Sequence, residues 1–415
     1  MNFKRIITLT QHTPIIHFQF DQPGSTLRMT ELKPKLDRFL WEQLAGDNLK
    51  NWLVPGQSKA LAYKIRIGKV KDDTSWNLDK NYPFYFGKLG KGDSKKDSMK
   101  NPLKFSNKVT LEFRSFHVEL LDAIEKRLPA FFSCTNFGTR QSKGFGSFLP
   151  ENTKPDPADF HLWFTIPVDR KSCRNLKLDS PELKGWPQDD SEETQTKRLF
   201  YQLEIFYRSL RGGINRPVSN NNKTKFYIKP AIFHFAKDVL NQQWDKKSVK
   251  QQFFPAVLQE QIEKQVRKKR IPDVLSYESQ PIDGKHGLFK ELFGLSTHES
   301  WRSYHSTITR NHPEISRFQS PWFFKPFRID ANTFQVGIKV QDIPSEFLNQ
   351  TFQIENKPKT KLPLELKTPE EFDWNDFLTY LKTEIPSLDE RCTSDSGLQN
   401  QPEYQVLKAI YKQLN

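Results

Sequence analysis

The sequence is poor in cysteine, with only Cys134, Cys173 and Cys392 among 415 residues. They lie far apart and form no pair motif, which fits a reducing compartment and excludes a zinc knuckle or ribbon. No apolar run approaches the ~20 residues that span a bilayer, so no membrane partner is expected. The opening MNFKRIITLT lacks a signal peptide's apolar stretch, and a cytoplasmic protein is expected. A Gly-Lys-Ser/Thr phosphate loop and a His-Glu-x-x-His motif are both missing. Neither a metal nor an organic cofactor is therefore expected.

Aromatic residues are abundant. There are 34 phenylalanines, and 36% of the chain is hydrophobic, enough for packed cores and unlike a disordered chain. At 415 residues the chain suits two domains plus an extension. Net charge is +15, unevenly spread. Residues 1–155 carry 26 basic and 15 acidic side chains (+11), residues 156–345 carry 30 and 22 (+8), and residues 346–415 carry 8 and 12 (−4). A basic surface of this size attracts polyanions and releases their counterions, so nucleic acid is the favoured partner over mere solubility.

The first half reads as strand, helix, two strands, helix, strand. Residues 5–20 are extended and interrupted by Pro14, and residues 26–44 carry leucines at helical spacing, with the helix expected to begin close to Pro34. Residues 61–70 and 102–116 read as strands, around a Gly/Lys/Asp loop near 88–100. Residues 118–132 place Leu120, Leu121, Ile124, Leu128 and Phe131 on one helical face. A glycine-rich loop then leads into a short strand, completing a βαββαβ, ferredoxin-like order. Residues 152–159 read as a linker. Beyond it come a strand at 160–168, a polar loop at 169–193, a helix at 196–210 ending at Gly212-Gly213, and an aromatic stretch at 226–236. A helix at 251–269 and late strands at 320–329 and 333–340 follow, in an order that does not cleanly repeat the first module. The tail from Pro344 offers helices at 369–383 and 404–414, separated by an acidic, turn-rich stretch. The expected division is 1–155, 156–345 and 346–415.

The most informative segment is Asn136-Phe-Gly-Thr-Arg-Gln-Ser-Lys-Gly-Phe-Gly-Ser147. Gly138, Gly144 and Gly146 permit positive φ and let backbone amides approach an anion. Arg140 and Lys143 supply phosphate-binding charge. Phe145 either stacks on a base or anchors the loop in the core. The plainer alternative is a tight turn with surface charge.

This segment resembles the G-x-R-x-R-R-G-F-G-S loop of the RAMP superfamily of CRISPR-associated proteins, and most of all that of the first RAMP subunit of the type III-B (Cmr) effector complex. Thr13-Pro14-Ile15, Ser25-Thr-Leu-Arg28, Leu292-Phe-Gly294 and Arg317-Phe-Gln-Ser-Pro-Trp322 match further family segments in family order over about 320 residues. Met29 stands where the family has a glycine after Arg28, and Asn136-Phe137 replaces the usual leading glycines. The resemblance implies an α+β fold of two ferredoxin-like (RRM-like, βαββαβ) RAMP modules, with the helical tail as an extension. It also implies a non-catalytic subunit that holds guide RNA, near its 3′ part, and target RNA in antiviral defence beside other effector subunits. Carried over, Arg28, Arg140, Lys143 and the loop glycines become RNA contacts.

Other candidates rest on charge alone. Lys33, Lys35 and Arg38 flank the first helix, although Lys33 and Lys35 cannot share a helical face. Arg211 and Arg216 belong to a second glycine–arginine turn, Ser209-Leu-Arg-Gly-Gly-Ile-Asn-Arg216, which reads equally as a helix C-terminus favoured by the dipole. The run Arg267–Arg270 reads as a solvated face. The alternative function is a metal-independent endoribonuclease that processes CRISPR repeats, with His12 or His17 in acid–base roles. The competing interpretation is ordinary strand histidines. His286, His298, His305 and His312 lack partners for a metal, and Asp72-Asp73 and Asp189-Asp190 are assigned to solvent.

Overall fold

A computed structural model describes residues 3–16, 22, 25–44, 47–56, 59–68, 70–76, 103–178, 189–217, 225–256, 286–301, 306–357, 362–392 and 398–414. The expected loop at 88–100, His17, His305 and the basic run at 267–270 lie outside the described residues. The chain forms two compact units, one of Met1–Glu204, Trp322–Lys339 and Asn400–Leu414, the other of Ile205–Pro321 and Val340–Gln399 with Asn415. This division does not follow the expected boundaries near 155 and 345. The late strand pair and the last helix group with the N-terminal residues through tertiary packing, which no local sequence signal encodes.

The first unit is built on an antiparallel sheet. Strand β1 (Lys4–Gln11) is interrupted by Pro14 and continued by β2 (Ile15–Ile16). Both pair with one edge of the long strand β5 (Leu103–Arg114). Strands β3 (Lys64–Ile67) and β4 (Lys71–Trp76) pair with β5 as well, and β6 (Phe148–Pro150) pairs with the free edge of β1. Because Arg114 is opposite both Lys4 and Lys64, β1 and β3 occupy its two sides. The strand sequence across the sheet is therefore β6, β1, β5, β3.

Two helices cover one face. In α1 (Met29–Gln43), Leu32, Leu36 and Leu40 recur every fourth residue and are buried. The helix begins five residues before Pro34, not at it. Leu32 N–H already bonds the Arg28 carbonyl, so the first turn forms ahead of the proline. Pro34 simply leaves one carbonyl of that turn without a helical donor. In α2 (Val118–Ser133), Leu120, Leu121, Ile124, Leu128, Phe131 and Phe132 are buried. They close a core with Leu9, Val109, Leu111 and Phe113 from the sheet.

A second sheet of this unit orders β14 (Trp322–Asp330), β15 (Thr333–Val340) and β7 (Leu162–Pro167). The short helix α3 (Arg170–Asn175) follows β7, and the long helix α4 (Glu192–Arg211) begins here. The last helix, α8 (Pro402–Tyr411), packs on β7, where the Gln413 carboxamide bonds both the N–H and the carbonyl of Thr165.

The second unit holds a hairpin of β8 (Ile214–Pro217) and β9 (Lys225–Ile228) and a six-stranded mixed sheet. The six strands run β10 (Gln243–Trp244), β11 (His286–Gly287), β17 (Leu364–Lys367), β16 (Thr351–Lys357), β13 (Ser306–Asn311) and β12 (His298–Trp301). Helices α5 (Ala231–Asp238), α6 (Asp245–Phe253) and α7 (Trp374–Thr383) complete the unit. The tail is thus not a purely helical extension. Phe352, Ile354 and Asn356 alternate inward along β16, a period of two that places this stretch in a sheet.

Candidate nucleic-acid interface

The glycine loop leaves α2 and returns as β6. Its stem is closed by an antiparallel bridge between Asn136 and Ser147. Four residues take positive φ: Gly138 (79°), Arg140 (62°), Gly144 (92°) and Gly146 (67°). The glycines are also required sterically. A Cβ on Gly146 would stand 1.9 Å from the Phe137 carbonyl oxygen, and one on Gly138 would stand 2.6 Å from the Ile15 side chain.

The expectation that glycine amides cradle a phosphate is corrected. Gly138 N–H donates to the Glu31 carboxylate (3.1 and 3.2 Å), Gly144 N–H to the Gln141 carbonyl (3.1 Å) and Gly146 N–H to the Pro14 carbonyl (2.9 Å). Their free energy is already committed to holding the loop against β1 and α1, because a buried amide must find an acceptor. Phe145 is fully buried and stacks on Phe200, with ring centroids 4.0 Å apart. It anchors the loop and presents no face to a base.

Thr13 bonds both sides of the loop end. Its hydroxyl donates to the Gly144 carbonyl at 2.7 Å and accepts from Ser147 N–H at 2.9 Å. Beneath the stem lies Lys325 of β14, fully buried. Its Nζ donates to the carbonyls of Thr135 (3.0 Å) and Phe148 (3.1 Å) and to Asn136 Oδ1 (3.1 Å). Asn136 Nδ2 returns bonds to the carbonyls of Gln141 and Phe324, both at 2.8 Å. One lysine therefore ties the outgoing and returning ends of the loop together. Burial pushes its pKa well below the usual lysine value, with Cys134 nearby acting in the opposite direction.

The sequence candidates fall into three groups. Arg140, at the left-handed position, and Lys143, on the short 3-10 turn Gln141–Lys143, are half-buried at the tip. Lys143 Nζ stands 6.0 Å from the Phe324 ring centroid. Arg28 is half-buried at the start of α1, and Arg38 is exposed further along it. The remaining lysines of α1 turn inward. Lys33 pairs with Asp37 (2.7 Å), donates to the Leu61 carbonyl and lies over the Tyr63 ring. Lys35 pairs with Glu31 (2.7 Å) and bonds the Asn136 carbonyl and Gln141 Oε1. These two are ties within the unit, and Lys35 supports the loop rather than extending its charged surface.

In the second unit Arg211 also turns inward, donating to the carbonyls of Gly294 (2.6 Å) and Lys290 (3.2 Å). Arg216 lies in β8 opposite Phe226. His12 is a core residue: its Nδ1 accepts from Arg328 N–H at 3.0 Å, and its ring meets Phe327 edge-on. Burial, with Lys325 and Arg328 nearby, lowers its pKa to about 3, so it stays neutral. A neutral ring whose Nδ1 is engaged by backbone does not suit the acid–base role considered for it. His298 lies exposed on β12, while His312 Nδ1 accepts from the amides of Glu314 and Ile315. Among the described residues no group of three His, Cys, Asp or Glu is arranged to hold a metal.

Sequence reasoning missed Lys325, Asn136 and Glu31, whose roles depend on partners distant along the chain. Thr13 was visible as part of a Thr-Pro pair, but its two-sided bonding was not.

Two family models match the sequence: the Cmr1 N-terminal domain over residues 2–214 and the Cmr1 C-terminal domain over residues 227–401. Among solved structures, the crystal structure of apo Cmr1 from Pyrococcus furiosus is 13% identical. That match spans 93% of this chain and 98% of the other, with a TM-score of 0.37. No curated protein matches. Since the two domain models take in nearly all of the sequence, the chain belongs to the Cmr1 family, RAMP proteins of the type III-B CRISPR effector complex.

Proposed function

We propose that this subunit binds single-stranded RNA within a type III-B effector complex, holding guide RNA near its 3′ part and target RNA, and that it does so without cleaving them. The observation that carries the reading is the presentation of Arg140 and Lys143 at the tip of a loop pinned from below by Lys325 and from the side by Thr13. Binding then runs through side-chain cations, since the glycine amides are occupied internally. Such contacts hold phosphates with little sequence preference, and guide–target base pairing supplies the sequence. Arg28 and Arg38 extend the charged surface along α1.

The strand sequence β6, β1, β5, β3 with two helices on one face supports a ferredoxin-like reading of the first module. A second such module, together with the acidic tail, forms the remainder of the proposal. Neighbouring effector subunits are the protein partners, in the cytoplasm.

The test is to co-express the tagged chain with its genomic neighbours and a CRISPR array, then sequence the RNA that co-purifies. Guide-length RNA with a defined repeat-derived end, recovered with other subunits, is expected. A protein that purifies alone without RNA, or that cuts repeat RNA in EDTA, contradicts the proposal.

A further inference from the structure

The sheet of the first unit has a second face, opposite the helices, that the glycine loop does not use. Residues directly opposite one another across neighbouring strands share a face. The register places Lys64 of β3, Arg114 of β5 and Lys4 of β1 in one such row. Arg66, Glu112 and Ile6 form the next row. The intervening residues Ile65, Phe113, Leu111 and Leu9 point the other way, into the core.

Three cations side by side across three strands are an unfavourable arrangement, because like charges directly opposite one another repel. Glu112 offsets part of this, lying 2.8 Å from Lys4 and 2.5 Å from Arg114. Lys64 and Arg66 are exposed and make no ion pair with another described residue. Lys108, two pairs further along β5, adds a cation that is met by Glu151 at 2.5 Å. Arg5 is engaged elsewhere, with Asp122 and Glu125 of α2. Between Arg114 and Lys108, the described side chains of the face thus carry Lys4, Lys64, Arg66, Lys108 and Arg114 against Glu112 and Glu151.

At the Lys4–Arg114 end stand two exposed aromatics. Phe116 is 92% exposed and Phe3 46% exposed, with ring centroids 6.3 Å apart. Ile6, 58% exposed, lies within the face. A phenylalanine so fully in water has no structural return in this unit. An aromatic beside a cluster of cations is the combination that binds single-stranded nucleic acid: the cations take the phosphates, and the rings take unstacked bases.

We propose that this open face is a second single-stranded RNA track, with Lys64, Arg66 and Arg114 on the phosphates and Phe116, two residues beyond Arg114, under a base. The inference rests on the reading that the subunit handles RNA, but it uses residues separate from the loop. Charge favours RNA as the occupant over an apolar protein surface, since cations exceed carboxylates among the described side chains of the face and Lys64 and Arg66 make no ion pair with another described residue.

The test measures binding of a 5′-labelled 30-nucleotide single-stranded RNA to the full chain by fluorescence anisotropy, across a salt series. The variants are Lys64→Glu/Arg66→Glu, Phe116→Ala and Phe116→Trp, each checked by circular dichroism, with Arg140→Ala/Lys143→Ala for comparison. Loss of two phosphate contacts is expected to lower the slope of log affinity against log salt by about 1.4. Phe116→Ala is expected to weaken binding about tenfold, and Phe116→Trp to retain it. Folded variants that bind RNA as wild type overturn the inference, most directly if the charge-reversal variant instead loses a co-purifying protein subunit. If the loop variant weakens binding and the face variants do not, this inference fails and the proposed function stands. If wild type binds no RNA, both fail.

Discussion

Two glycine–arginine segments look alike in the sequence and differ in the folded chain. The loop at 136–147 has three positive-φ glycines and the turn at 209–216 has one, Gly213, both beside basic residues, and a buried basic side chain from far along the chain fastens each. Lys325 does so for the loop, and Arg391, donating to the carbonyls of Ser209 (3.0 Å) and Lys229 (3.2 Å), does so for the turn. The difference lies in the segment's own arginine. In the turn, Arg211 is itself a structural donor, bonded to the carbonyls of Lys290 and Gly294. In the loop, Lys325, Asn136 and Thr13 tie the stem, and Arg140 and Lys143 sit half-buried at its tip. The same composition is thus fastened through different donors in the two units.

The largest effect expected from breaking this contrast is that of Lys325→Met. It leaves the Thr135 and Phe148 carbonyls and Asn136 Oδ1 without their donor, and about 4 kcal/mol of stability should be lost in urea denaturation. Gly146→Ala comes next. A Cβ 1.9 Å from the Phe137 oxygen at a φ of 67° cannot be relieved by a side-chain shift, and about 3 kcal/mol should be lost in the same measurement.

Arg211→Ala should cost about 1.5 kcal/mol and leave RNA affinity unchanged, because its bonds are internal. A fall in affinity with stability preserved would assign Arg211 to RNA and erase the contrast.

At neutral pH the smallest effect comes from His12 beside the loop, whose contribution changes only as pH falls. His12 is neutral in the fold, with its pKa lowered to about 3. The unfolded chain therefore takes up this proton first as pH falls below about 6.5. The stabilisation is full above that pH and is lost as pH falls towards 3, by about 1.4 kcal/mol per unit at most. His12→Gln should flatten the decline in melting temperature across this window, although His234, also lowered to about 3, contributes with the same sign.

Much of the first unit was legible. The leucine spacing of α1 and α2 and the apolar alternation of β5 are strong local signals, and the mixed α+β character with an antiparallel sheet followed from them. The loop was legible as special from its three glycines, but not what they do. Whether an amide faces an anion or a carbonyl depends on what the fold brings beside it, and here Glu31, Gln141 and Pro14 arrive first. Lys325 lies some 180 residues beyond the loop, in an aromatic strand that gives no hint of a buried amine. Lys33 and Lys35 read as surface charge because a lysine's partners are invisible in sequence. The tail's strands were hidden for a different reason: the alternation of Thr351–Lys357 is short and set in an acidic, polar stretch.

The central claim is that Arg140 and Lys143 hold RNA phosphates from a loop that is otherwise internally satisfied. The most direct test is the affinity of Arg140→Ala/Lys143→Ala for single-stranded RNA across a salt series, with folding checked by denaturation. The account predicts, for the folded variant, affinity reduced at least tenfold at low salt and a salt slope shallower by about 1.4, two phosphate contacts' worth. Unchanged affinity and slope in a folded variant would contradict it.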